Sequence, residues 1–316
     1  MSKQSHILKK IAMLFVCALL LYSCMEEDML NCPQQIRVYF TFSTGEINYS
    51  QIDYVRLYVF DENDYYVEEY FDKYIAGFNA NYYIDCFGIP PGKYRFIAWT
   101  GKYGNHYTTS PASFIKGQTT FDDALLMLER FENVIPNSLP HIFHAKLPVT
   151  VVSNRSIQYF YMPLTQLSNT INIRTVGLPS DANAYRFNIT DNNCTYTFDC
   201  SFAVHSHPFF RYTTPCSKDE FGQLSATTNV LRLSANRRTP QLHIYNETSE
   251  TMLYPVGTQS GDLIGLILGA YPQNDFDLIH TYDIVLYFSG DASTGFNVTV
   301  SVNGWQVHDQ NEELIE

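Results

Sequence analysis

Positive charge is what this sequence has least of. Its 316 residues carry 20 lysines and arginines against 32 aspartates and glutamates, a formal net charge of −12. A chain this acidic repels phosphate backbones and anionic head groups, so nucleic acid is excluded as a partner. Long apolar runs are missing too. The mostly apolar stretch from Ile11 to Tyr22 is about a dozen residues, short of the roughly 20 that a membrane-spanning helix needs.

Metal and catalytic signatures are equally scarce. No cysteines form a CxxC pair and no histidines stand at zinc-finger spacing, which argues against a structural metal. No G-x-S-x-G turn is there to hold a nucleophilic serine. Asp61-Glu62-Asn63-Asp64 opens like a calcium loop, but Tyr65 and Tyr66 replace the required oxygen ligand and glycine. His141 with His144, and His205 with His207, could each offer two imidazoles, yet no third ligand is identifiable and loop or edge histidines are expected. Paired glycosidase carboxylates have no local spacing to search for. The expectation is a non-enzymatic chain with no metal and no cofactor. Tryptophan is rare as well: Trp99 and Trp305 both follow candidate strands, and packing is expected of each, the alternative being a sugar platform.

What is present begins at the start of the chain. Lys3, Lys9 and Lys10 precede the apolar stretch, and Leu21-Tyr22-Ser23-Cys24 closes it, in the order of a lipoprotein signal peptide with its lipobox. The reading is a signal over residues 1–23, cleaved so that the mature chain starts at Cys24, which carries a covalent lipid as membrane anchor. An ordinary secretory signal with an incidental cysteine is the weaker alternative. Glu26, Glu27 and Asp28 follow at once and resemble the export signal that sends Bacteroides-type lipoproteins to the outer face of the outer membrane; a plain solvated tether over 24–32 is the bland account. Cleavage leaves 293 residues with 17 basic and 32 acidic side chains, a net of −15. Five cysteines then remain beside the lipidated one: Cys32, Cys86, Cys194, Cys200 and Cys216. Cys32 lies just before the first strand and Cys86 just before a proline turn, so a disulfide between them could pin the tethered end. Two unpaired thiols carry equal weight.

Tyrosine and phenylalanine number 24 and 22, many of them in alternating patterns. Ile36, Val38, Phe40 and Phe42 share one face of a strand with Arg37, Tyr39 and Thr41 on the other. The same period recurs at Val55/Leu57/Val59, Tyr94/Phe96/Ala98, Ile171/Ile173/Thr175, Tyr185/Phe187/Ile189 and Phe296/Val298/Val300/Val302. Turn residues separate them at Asp61–Asp64, Pro90–Lys93 and Gly101–Asn105. Only Phe121–Glu129 and Asp262–Ala270 look helical. Many short strands with few helices predict an all-β chain of antiparallel sandwiches. The length suggests two domains, with a junction near Gln166–Asn169 that gives an N-terminal domain over 33–165 and a C-terminal one over 166–316.

The order of motifs is similar to that of one family. The lipidated Cys24 with its acidic run, Asn31-Cys32-Pro33 and IRVYFTF, then VRLYVFDEND, PPGKYRFIAWTG at Pro90–Gly101, IFH at Ile142–His144, and the terminal VTVSVNGWQV together resemble the FimB-type fimbrial anchor lipoproteins, the fimbrillin-associated anchor subunits of Bacteroides and Porphyromonas relatives. The resemblance implies two tandem transthyretin-like β-sandwich domains, fimbrial stalk subunits as partners, and a lipoprotein that roots a fimbria in the outer membrane and limits its length. Ala145 departs from the glycine that family members commonly carry after the histidine. Polymerising relatives in such systems lose their first strand to cleavage after a basic residue. Here no lysine or arginine lies between Cys24 and Ile36, and Arg37 is inside the strand, so residues 24–42 are expected to stay attached. The alternatives are a surface glycan-binding lipoprotein and an adhesin or tip subunit of the same system.

Overall fold

The computed structural model describes residues 34–42, 49–104, 106–129, 133–135, 139–153, 156–178, 184–203, 209–219, 221–291 and 295–307. The chain is all-β. Its first half runs β1 (Gln34–Phe42), β2 (Tyr54–Asp61), β3 (Tyr66–Lys73), β4 (Tyr83–Ile89), β5 (Gly92–Gly101), β6 (Tyr107–Ser110), β7 (Leu125–Leu128), β8 (Val134–Ile135), β9 (Ile142–Val151) and β10 (Gln158–Gln166). Then come β11 (Ser168–Val176), β12 (Tyr185–Asp191), β13 (Thr195–Thr197), β14 (Phe210–Pro215), β15 (Ser217–Lys218), β16 (Leu224–Leu231), β17 (Gln241–Asn246) and β18 (Thr251–Tyr254). Helix α1 (Leu263–Ala270), β19 (Thr281–Asp291), β20 (Gly295–Val302) and β21 (Trp305–Gln306) follow, and a single 3-10 turn (Tyr49–Gln51) precedes β2. No helix among the described residues is long and apolar enough to cross a membrane.

Seven strands form one sheet in the order β3-β2-β5-β9-β10-β1-β4. β9 and β10 are joined by only two residue pairs, Thr165 with His144 and Gln166 with Phe143, so the sheet folds over at that corner into two layers. At the opposite end the Gln158 side chain donates to Val152 O and accepts from Val152 N. Between the layers lies one core: Ile36, Val38 and Phe40 from β1 meet Val55, Leu57 and Val59 from β2 and Phe96 and Ala98 from β5, all fully buried. Period-two alternation puts these side chains on one face, and the face is dry because the other layer covers it.

The remaining strands form a six-stranded sheet (β15-β16-β11-β19-β20-β21), a five-stranded sheet (β18-β17-β12-β14-β8) and a three-stranded one (β13-β7-β6). Their core includes Ile171, Ile173, Phe187, Ile189, Leu286 and Val300 and is continuous with Tyr58, Phe60, Ile97 and Trp99, the other side of β2 and β5. Sheet membership therefore does not follow chain order at every point. β8 joins β14, and β7 joins β13.

Two expectations need correction. Most pairs are antiparallel, but β1 runs parallel to β10, β11 to β19 and β8 to β14, so the sheets are mixed. Each of the first two pairs joins strands far apart in sequence, and period-two patterning carries no information on strand direction. Second, Phe121–Glu129 is a turn followed by β7, not a helix. Pairing on both sides, with β6 and β13, outweighs the weak helical tendency of so short a segment. The expected helix at 262–270 does form, with the Asp262 carboxylate accepting from Gly265 N at 2.9 Å as its N-cap.

Candidate functional site

Cys24, Glu26, Glu27, Asp28 and Cys32 lie outside the described residues, as do His205 and His207. The described chain opens directly on β1, whose placement is set residue by residue. Ile36 through Phe42 pair with Gln158 through Leu164 of β10 on one side, and β4 pairs antiparallel on the other, with Arg37 opposite Asp85 and Tyr39 opposite Tyr83. The strand next to the proposed tether is thus an interior strand of its sheet.

Its outer face is wet and aromatic. Tyr39 stacks on Tyr161 with ring centroids 5.3 Å apart and meets Tyr83 at 5.5 Å and Tyr159 at 6.4 Å. The Arg37 guanidinium sits 3.7 Å from the Tyr83 ring centroid and donates two bonds to the Asp85 carboxylate, at 2.8 and 3.0 Å. That hydrogen-bonded carboxylate raises the guanidinium pKa still further, so Arg37 stays charged. Tyr83, Tyr159 and Tyr161 are exposed. The alternation that places Ile36, Val38 and Phe40 inward was the available signal for this face, but nothing in the sequence says that the outward tyrosines of three strands are neighbours.

In the later sheets, α1 and β20 flank an open groove of about 560 Å³ lined by Arg238, Asp262, Gly265, Leu266, Val300 and Val307. Arg238 Nε pairs with Asp262 Oδ2 at 2.9 Å, so the groove carries a matched pair and an aliphatic wall. Trp305 stands close by in β21 and corrects an expectation. It is 63% exposed, with only an edge contact to Tyr271 at 6.3 Å, because β21 is a two-residue edge strand with one partner. Trp99 is 1% exposed, packed against the His144 ring and Phe198.

The histidines are held as structural groups. His141 Nδ1 lies 2.8 Å from Ser168 Oγ. His144 Nε2 donates to the Phe198 carbonyl at 3.0 Å, and burial lowers its pKa to about 4, so the ring is neutral. No group of three or more His, Cys, Asp or Glu with metal-binding geometry occurs among the described residues. The Asp61 carboxylate accepts from the backbone N–H groups of Asn63 and Tyr65, which makes the calcium-like stretch an Asx turn. Of the two cysteines weighed as a disulfide or as unpaired thiols, Cys86 carries a buried thiol in the first core, its pKa raised by desolvation; Cys200 and Cys216 are likewise pushed up to about 12 by burial.

With this geometry in hand, comparison with known proteins is informative. Residues 29–311 match a family model described as Mfa2, fimbrillin-A associated anchor proteins Mfa1 and Mfa2. Among solved structures, the fimbrial anchor protein Mfa2 of Porphyromonas gingivalis superposes with a TM-score of 0.70 at 19% identity, covering 88% of this chain and 99% of that one. A candidate polysaccharide-binding protein of Bacteroides thetaiotaomicron gives 0.73 at 21% identity, with 88% and 99% covered. A candidate adhesin of Bacteroides ovatus gives 0.69 at 18%, with 92% and 98% covered. At these identities the likeness establishes the shared all-β fold. No curated protein matches.

Proposed function

The chain belongs to the family of fimbrillin-A associated anchor proteins, and from that membership we propose that it roots a fimbria in the outer membrane and limits its length. In this reading residues 1–23 are a lipoprotein signal, Cys24 carries the lipid, Glu26, Glu27 and Asp28 direct the protein to the cell surface, and two tandem transthyretin-like domains, 33–165 and 166–316, project from the membrane towards the fimbrial stalk subunits.

The observation that supports it most directly is the position of β1. A subunit that polymerises by taking a neighbour's strand needs an empty place in its sandwich. Here that place is filled by the chain's own Ile36, Val38 and Phe40, each fully buried, between β4 and β10. Cutting at Arg37, the first basic residue after Cys24, would sever the lipid from the fold and empty this core. An anchor has reason to avoid both. The stalk contact then falls to another surface, and the open groove between α1 and β20, remote in sequence from the tether, is the one we assign to it.

Intact-mass measurement of the protein extracted from assembled fimbriae tests the proposal. The expected species starts at lipid-modified Cys24, and immunogold labelling is expected at the fimbrial base. A mature form starting beyond Arg37, or labelling along the shaft or at the tip, would identify a polymerising or tip subunit instead. Cys24→Ala is expected to shift the protein to soluble fractions and abolish acyl labelling.

A further inference from the structure

Little chain lies between the proposed lipid site and the fold. Nine residues, 25–33, separate Cys24 from Gln34, so the start of β1 is held within about 35 Å of the lipid, the full reach of that stretch when extended. The face that β1 shares with β10 and β4 differs in character from the acidic chain that carries it. Its outward positions hold Tyr83, Phe87, Tyr159 and Tyr161, at 40, 59, 53 and 59% exposure, around the part-buried Tyr39. Arg37 and Asp85 are the only charged side chains at those positions, and they pair at 2.8 Å. A chain with 32 acidic side chains against 20 basic ones thus presents a neutral aromatic face beside its tether.

This chemistry suits the interface of a lipid bilayer. Tyrosine is amphipathic, its ring favouring the apolar side of the head-group layer and its hydroxyl the wet side, which is why such residues collect at that depth. The Arg37 guanidinium is held over the Tyr83 ring at 3.7 Å and matched by Asp85, so it brings no uncompensated charge. β1 is paired on both sides, and its backbone therefore needs no water when the face is covered. A sugar platform would need free ring faces. Here Tyr39 and Tyr161 stack on each other at 5.3 Å and 17°, and Tyr83 carries Arg37, so those faces are taken up within the cluster. Repulsion of the acidic remainder from anionic head groups is screened beyond about 8 Å at physiological ionic strength, and it favours turning the neutral face towards the lipid.

Resting on the proposal that Cys24 is lipidated, we infer that the first sandwich lies with this face against the membrane, with Phe87, Tyr159 and Tyr161 set in the head-group region of the bilayer. The lipid supplies attachment and the face supplies orientation. The layer of β2 and β5, whose far side packs against the core of the later sheets, is thereby held away from the bilayer.

Trp305→Phe leaves the buried Trp99 as a constant background, and Tyr161→Trp adds a reporter on the face. The full-length lipoprotein carrying both changes is reconstituted into phosphatidylcholine vesicles, with and without lipid bearing a nitroxide just below the head group. Emission of the new indole is expected at shorter wavelength than in the same protein carrying Cys24→Ala and free in buffer, and the nitroxide lipid should quench it. Trp305 of the unaltered protein, on an edge of the later sheets, should escape quenching. Adding Phe87→Ser and Tyr159→Ser should restore most of the emission, while the protein stays on the vesicles through its lipid and melts at an unchanged temperature. Tyr159→Trp in place of Tyr161→Trp is the second reporter, which leaves the stack with Tyr39 intact. Absence of an acyl label at Cys24 would strike the anchor reading and the membrane contact together. Acylated, vesicle-bound protein would overturn the membrane contact alone if the new indole were unquenched at both positions, quenched no more than Trp305, or quenched equally after the two serine changes. A short-wavelength emission that persists in buffer and grows with protein concentration would overturn it too, and identify a second copy of the chain as the occupant of the face.

Discussion

Strands β1 and β5 belong to the same sandwich and send side chains into the same core, yet their outer faces have opposite fates. Beyond Ile36, Val38 and Phe40, β1 shows water Arg37, Tyr39 and Thr41. Beyond Phe96 and Ala98, β5 turns Ile97 and Trp99 into a second core, at 0% and 1% exposure. The layer of β3, β2, β5 and β9 is covered on both sides across β2 and β5, where Tyr58 and Phe60 join Ile97 and Trp99 against Phe114 and Phe198. The layer of β10, β1 and β4 is covered on one. A strand dry on both faces reads as a continuous apolar run, and a strand dry on one reads as an alternation, and KYRFIAW beside IRVYFTF shows both kinds in one sandwich.

The contrast can be broken most severely by removing the strand that closes the sandwich. Deleting Gln34–Phe42 uncovers the inner faces of β2 and β5 and leaves the facing edges of β4 and β10 unpaired, and loss of near-UV circular dichroism and of a cooperative melt is the expected result. Emptying one site on the inner face is milder: Phe96→Ala should cost about 3 to 5 kcal/mol in urea unfolding, the usual range for a fully buried phenylalanine. A wild-type transition in either variant would mean that the inner face is not where the structure puts it.

Burial on both sides also leaves a titratable group inside. His144 of β9 has its pKa lowered from 6.5 to about 4 by desolvation, so the unfolded chain takes up a proton before the folded one does. Its stabilising effect is complete above pH 6.5 and is lost as pH falls towards 4, amounting to about 3 kcal/mol at the lower end. Urea midpoints measured from pH 7 to 5 should fall less steeply in His144→Phe than in wild type; equal slopes would place the ring in water. The smallest effect belongs to the wet face. Tyr161→Ala is exposed and should change stability by no more than about 0.5 kcal/mol, and a loss comparable to that of Phe96→Ala would mean that a neighbouring chain or domain covers those tyrosines.

The same contrast explains what could be read from sequence. The inward set of β1, the alternation of β20 and the Asp262 cap of α1 are written locally and are legible. The outward burial of Ile97 and Trp99 is not, because Phe198, which packs against Trp99, arrives from far along the chain. The segment at 121–129 looks helical until β6 and β13 are present to pair with it. Trp305 looks like a strand-end packing residue, and its exposure follows from β21 lying at an edge. Arg56, Trp99 and Tyr107 line one small cavity, and the first two meet because β2 pairs with β5 and sets Arg56 opposite Trp99. No spacing rule links those three positions.

The parallel pairing of β1 with β10 has a mechanical meaning. β1 enters the sandwich at Gln34, while β10, running the same way, leaves it at Gln166 towards the rest of the chain. Pulling the two ends apart therefore draws neighbouring strands in opposite directions along their length. The rungs from Ile36 to Phe42 are loaded in shear, all at once, and not peeled open one after another. Resistance to such a pull is set by the unfolding rate more than by equilibrium stability, so tension between the two ends of this sandwich meets its seven rungs together.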